Sequence, residues 1–136
     1  MLLIAYGLGR AYDWATIVYV QSTPLAILFG LSGITLAVWA VRTFSSYGTE
    51  INPASPSNKI LVTGGPFRFT RNPMYSGLVL TTFGIAFYFG TLPFFAVPVL
   101  LFVLVNFVFV QFEEEKMQRQ FGGQFAEYCA RVRRWV

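Results

Sequence analysis

A chain of 136 residues, 55% hydrophobic and only 12% charged, has room for one domain and too little polar surface for an ordinary soluble fold. It has no histidine, which removes the usual general base, any Cys/His metal set and any Ser-His-Asp arrangement; no Gly-rich phosphate loop with its lysine occurs either. The formal charge of +4 does not point to nucleic acid, because the basic residues flank apolar segments instead of gathering in a patch.

In chain order, Met1 to Gly9 is apolar, but Arg10 and Asp13 interrupt it, and so short a run cannot cross the ~30 Å of a bilayer core. An imperfect first helix is expected within about residues 1–20. It is a short or tilted span that tolerates an Arg10–Asp13 pair, an interfacial helix, or the mark of a chain that begins later than its relatives. A signal peptide does not fit, since no basic residue precedes the apolar run and no small-residue cleavage pattern follows it. A Ser22-Thr23-Pro24 turn then opens a second helix over about 24–44, with proline at a position suited to a helix start. Its stretch from Leu25 to Val41 is uncharged and ends at Arg42.

Residues 45–71 read as a loop, punctuated by Asn52-Pro53, Ser55-Pro56-Ser57-Asn58 and Gly64-Gly65-Pro66. Residues 72–112 read as a helical hairpin. Met74 to Leu92 and Pro93 to Phe112 are both uncharged and near the ~20 residues a span requires, with Pro73 near one start, Gly90-Thr91 at the turn and Pro93 at the next start. Residues 113–136 form a tail. Glu113 to Phe121 continues the last helix, Gly122-Gly123 breaks it, and Phe125, Tyr128, Cys129 and Val132 then recur at helical spacing. With Arg131, Arg133 and Arg134 on the opposite face, that helix is expected to lie on the bilayer, Trp135 serving as interfacial anchor.

The expected fold is therefore an all-α integral membrane domain over residues 1–136. It has about four transmembrane helices, residues 1–44 supplying the first pair, then the carboxyl-terminal helical hairpin and an amphipathic tail helix. Basic residues cluster in the middle loop and the tail, so the positive-inside rule puts both in the cytoplasm, in an inner or plasma membrane. Gly30, Ser32, Gly33, Ser76, Gly77 and Gly84 allow close helix approach. Cys129 is alone and reads as a small apolar residue of the tail helix.

Two polar groups meet where the hairpin leaves the membrane: Arg71, Asn72 and Tyr75 at one helix end, Glu113 and Glu114 at the other. Carboxylates suit an ammonium group or ribose hydroxyls, and arginine and amide donors suit a carboxylate; those are the polar features of S-adenosylmethionine. Methyl transfer from a sulfonium asks little of a general base, so a site without histidine can perform it by alignment and exclusion of water. On the residues alone, an ion-pair clasp at the membrane surface is an equal reading.

The block from Leu61 through Val62, Thr63, Gly64, Gly65, Pro66, Phe67, Arg68, Phe69, Thr70, Arg71, Asn72, Pro73 and Met74 to Tyr75 resembles a motif of the isoprenylcysteine carboxyl methyltransferase family. Glu113-Glu114 followed by Met117, Phe121-Gly122, Phe125, Tyr128 and Val132 resembles that family's tail, and Gly48 to Pro53 is similar to its bacterial members. The resemblance implies a membrane methyltransferase with a cytoplasm-facing S-adenosylmethionine site and a lipophilic or lipidated acceptor arriving from membrane lipid. It places cofactor contacts on Asn52, Lys59, Ile60, Leu61, Val62, Phe67, Asn72, Pro73, Met74, Tyr75 and Glu113. It gives Arg71 and Glu114 catalytic roles and requires no metal. Asn72 stands where eukaryotic members have histidine, Phe67 where tyrosine is common, and Phe109 where they carry an arginine that meets substrate. The rival expectations are a phospholipid amine N-methyltransferase, an NADPH-dependent reductase and a non-catalytic membrane scaffold that keeps the fold.

Overall fold

A computed structural model of the chain describes residues 1, 4, 20–48 and 60–136. Among the described residues the structure is helical without strands. Helix α1 spans Thr23–Ser46, α2 Pro73–Phe89, α3 Leu92–Leu104, α4 Val110–Phe121 and α5 Gly123–Arg131. A 3₁₀ turn, Gly65–Arg68, precedes α2, and a π-helical segment, Val105–Phe109, joins α3 to α4. The expected first helix, and with it the four-span count, falls on positions outside the described residues, as do Asn52 and Lys59.

The helix starts follow from local chemistry. Ser22 caps α1 by accepting from the Leu25 N–H, and Pro24, Pro73 and Pro93 sit at the first positions of their helices, where a missing N–H costs nothing. Gly90 ends α2 at φ +72°, and Gly122 separates α4 from α5 at φ +51°, both in the left-handed range that glycine enters freely.

Two stretches are long and apolar enough to cross a membrane: Thr23–Ser46, and the continuous Leu92–Phe121 formed by α3, the π segment and α4. Only 17% and 28% of their apolar windows are buried in protein, so Leu28, Leu31, Ile34, Leu100 and Phe107 face outward. Exposed apolar area of that extent needs lipid or a partner around it. Helix α2, at 17 residues, rises about 26 Å and reaches only the lower limit of a span.

Helices α1 and α2 touch backbone to backbone. A Cβ on Gly33 would lie 2.5 Å from the Thr81 nitrogen, and one on Gly77 would lie 2.6 Å from the Gly33 oxygen. Small residues therefore form the seam, as expected where van der Waals contact, not hydrophobic burial, must hold helices together. Ser32 faces away, exposed, and is no part of it. Phe29 packs on Phe87 at 5.5 Å, and Phe87 meets Phe95 edge-on at 5.1 Å, which ties α1, α2 and α3 together.

The tail departs from expectation. The apolar edge of α5 is covered by protein instead of lying against lipid: Phe125 and Tyr128 are buried, and the Tyr128 hydroxyl donates to the Phe67 carbonyl at 2.7 Å. Trp135, expected as an interfacial anchor, donates from Nε1 to Asn106 Oδ1 at 3.0 Å and packs its ring on Phe102. A buried tyrosine hydroxyl needs a hydrogen-bond partner, and here the Phe67 carbonyl supplies it.

Candidate functional site

The mouth of the α2–α3 hairpin, opposite the Gly90 turn, gathers the polar side chains. Tyr75, in the first turn of α2, donates its hydroxyl to Glu113 Oε1 at 2.8 Å. Glu114, the next residue of α4, points elsewhere, since successive helix positions are about 100° apart. It accepts two bonds from Arg134, at 3.0 and 2.5 Å, and one contact from Arg71 Nη2 at 3.3 Å. The fork of Arg134 matches the two carboxylate oxygens, and the Glu114 bond holds the Arg134 guanidinium above its usual range and charged.

Arg71 sits just before α2 and is mostly buried. Its Nη1 donates to Cys129 Sγ, its backbone N–H donates to the Arg133 carbonyl at 2.9 Å, and its Nε is buried without a partner among the described residues. The flanking residues hold the chain end. Thr70 Oγ1 donates to the Arg134 carbonyl at 2.9 Å, and Asn72 Nδ2 donates to the same oxygen at 3.1 Å. Thr70 is 1% exposed and Asn72 7%, so these are dry, fixed bonds.

The structure thus brings together Arg71 with Glu114, and Tyr75 with Glu113, as two adjacent pairs instead of one cluster. The Asn72 amide nitrogen donates to the Arg134 carbonyl. Val62 and Phe67 lie in a buried core with Ala40, against Phe44 and Met74, and Pro73 is fully buried at the helix start. Leu61 is half-buried and Ile60 exposed. The π segment, which ends at Phe109 one turn before Glu113, is wider than an α-turn and so turns the face that α4 presents. Such segments recur at functional sites. Its Phe109 places a ring 6.4 Å from that of Tyr75.

Arg134 and Asn106 escaped the reading of the sequence. Asn106 carried a signal, being the first polar side chain of an otherwise apolar stretch from Pro93, and polar groups in spans usually have partners. Arg134 carried none, because it follows the end of α5 at Arg131, where helical spacing no longer says which way a side chain points.

Neither a curated protein nor a solved structure matches the chain. The family comparison does: residues 22–124, most of the chain and every helix from α1 to α4, match the profile of phospholipid methyltransferases, and the chain belongs to that family of membrane methyltransferases.

Proposed function

We propose that this protein transfers a methyl group from S-adenosylmethionine to a lipophilic acceptor at the membrane surface. The observation that carries this reading is the pairing of Tyr75 with Glu113 beside Arg71 and Glu114, at the mouth of a hairpin in a membrane methyltransferase family.

The donor set fits the cofactor. Glu113 has one oxygen engaged by Tyr75, which leaves carboxylate capacity for an ammonium group or ribose hydroxyls. The Nε of Arg71 is buried without a hydrogen-bond partner among the described residues, so a ligand oxygen would reach it only if the surrounding side chains move. The resemblance also assigns cofactor contacts to Ile60, Leu61, Val62, Phe67, Asn72, Pro73 and Met74, of which Val62 and Phe67 share one core with Met74. Since Val62, Phe67, Asn72 and Pro73 are buried, their share of any contact falls to backbone. Asn52 and Lys59 remain assigned by the resemblance to the isoprenylcysteine carboxyl methyltransferases.

When bound, S-adenosylmethionine supplies an electrophilic methyl group on sulfur. An ionised carboxylate or an unprotonated amine would take that methyl as its bond to sulfur breaks and S-adenosylhomocysteine leaves, an ammonium acceptor first giving its proton to water, and the chain's residues would bind, orient and exclude water from the reacting atoms. Glu113 and Tyr75 hold the cofactor, and Arg71, kept in place by Glu114, positions the acceptor.

Two acceptor classes fit: a prenylcysteine carboxylate, methylated on oxygen, and a phospholipid amine, methylated on nitrogen. Arg134 forks onto Glu114, Arg71 makes one longer contact with it, and Phe109 stands one turn before Glu113; the two acceptors are separated by which of them takes the label.

The test is calorimetric titration of the protein in nanodiscs with S-adenosylmethionine and S-adenosylhomocysteine, with NADPH as control, followed by label transfer to an amine phospholipid or to a farnesylated cysteine. Binding of both sulfur ligands upholds the proposal, and the labelled product names the acceptor. Binding of NADPH alone would make it a reductase; binding of none would leave a scaffold.

A further inference from the structure

We infer that residues 132–136 form a strap that sets the geometry of the site, with Arg134 as its positioning residue; the inference rests on reading the hairpin mouth as a methyl-transfer site. After α5 the chain leaves the helix at Val132 in extended conformation and runs back across the start of α2. It is fastened there by three bonds on backbone carbonyls. Arg71 N–H reaches Arg133, while Thr70 and Asn72 side chains both reach Arg134.

Arg134 is thereby held at both ends. Its carbonyl is bonded to the segment that opens α2, and its guanidinium forks onto Glu114 of α4. Those are the two helices whose Tyr75 and Glu113 face each other. Glu114 is oriented by two short bonds from Arg134 and by one longer contact from Arg71, so the fork fixes the carboxylate and the carboxylate then fixes Arg71. Trp135 adds a second fastening on the same helix, through Asn106 of the π segment. None of these strap groups touches the open oxygen of Glu113, so Arg134 acts through Glu114 and Arg71, not on the reacting atoms.

The full chain in nanodiscs provides the test, read by amide hydrogen exchange without ligand, by calorimetry and by methyl transfer. Arg134→Ala should raise exchange at Arg71 and over residues 113–116 while the interior of α1 stays protected. Cofactor affinity should hardly move, whereas turnover should fall about 100-fold, the usual cost of a misplacement near 1 Å. Arg134→Lys, which keeps charge but loses the fork, should recover part of the turnover, and Glu114→Ala combined with Arg134→Ala should be no worse than the poorer single variant. Trp135→Phe, which keeps the ring on Phe102, provides a milder release should Arg134→Ala fold poorly. Arg131→Ala, on the exposed side of α5, controls for lost charge. Unchanged exchange at Arg71, or affinity and turnover falling in step with the melting temperature, would overturn the strap. A wild-type chain that binds no S-adenosylmethionine while Arg134→Ala still loosens Arg71 would uphold the strap and overturn the methyl-transfer reading.

Discussion

The hydroxyl of Tyr75 donates to Glu113 across the mouth of the hairpin, from the first turn of α2 to the first turn of α4. The bond joins the helix that follows the turn-rich loop to the long helix that crosses back, so it closes on the place where both polar groups of the sequence converge. Glu113 is expected to be the residue on which cofactor binding depends. Replacing it by glutamine keeps an acceptor for Tyr75 and removes the charge. A charge-assisted hydrogen bond is worth about 1.5–3 kcal/mol, so Glu113→Gln should weaken S-adenosylmethionine roughly 10- to 100-fold. Calorimetry decides it, and wild-type affinity in this variant would sink the assignment.

Arg71→Ala should separate chemistry from folding. Glu114 keeps both bonds from Arg134, and the backbone N–H of residue 71 still reaches Arg133, so the mouth stays assembled. What disappears is the group expected to position the acceptor, at a cost of about 100-fold or more in turnover. A normal elution profile and melting temperature with lost methyl transfer is the expected result. A collapse of the melting temperature would mean that Arg71 is a structural clasp.

Much of this arrangement was legible because it is written in local chemistry. Pro24, Pro73 and Pro93 mark helix starts, and Gly90 and Gly122 mark ends, because each is a backbone requirement that one residue type meets. The convergence of Arg71 and Tyr75 with Glu113 and Glu114 followed from a hairpin with both groups at one end. The division of labour between the two glutamates was not legible. They are neighbours in sequence, and only the orientation of α4 sends one to Tyr75 and the other to the arginines. The tail was misread for a related reason. An amphipathic stripe says that one face of α5 must be covered, and says nothing about whether lipid or the 3₁₀ turn at Phe67 covers it.

The seam between α1 and α2 yields a pair of substitutions with opposite expected signs. Gly33→Ala drives a methyl group to within 2.5 Å of the Thr81 backbone nitrogen, and backbone cannot yield as a flexible side chain does. Overpacking of that kind costs about 1–3 kcal/mol. A Cβ on Gly30, in the same helix, meets nothing within 4 Å among the described residues, so Gly30→Ala should be neutral or stabilising by up to about 1 kcal/mol through helix propensity. Thermal unfolding in detergent distinguishes them. Equal effects at the two positions would mean that the helices do not pack as tightly as the seam requires.

Tyr128 gives a prediction about alkaline stability. Its hydroxyl is buried and donates to the Phe67 carbonyl, and burial pushes its ionisation well above the usual tyrosine range. The folded protein therefore holds this proton more tightly than the unfolded chain does. The resulting stability is complete below the unfolded value near pH 10 and is lost as pH rises from there through the folded value. Tyr128→Phe removes the donor and leaves the Phe67 carbonyl buried without its partner, which should cost about 1–3 kcal/mol at neutral pH. The same substitution removes the titrating group, so the gap between wild type and variant should narrow above pH 10. Melting curves between pH 7 and 11 measure both effects. A gap that stays constant across that range would show that the Tyr128 hydroxyl is not held by the loop, and that α5 is docked by its apolar edge alone.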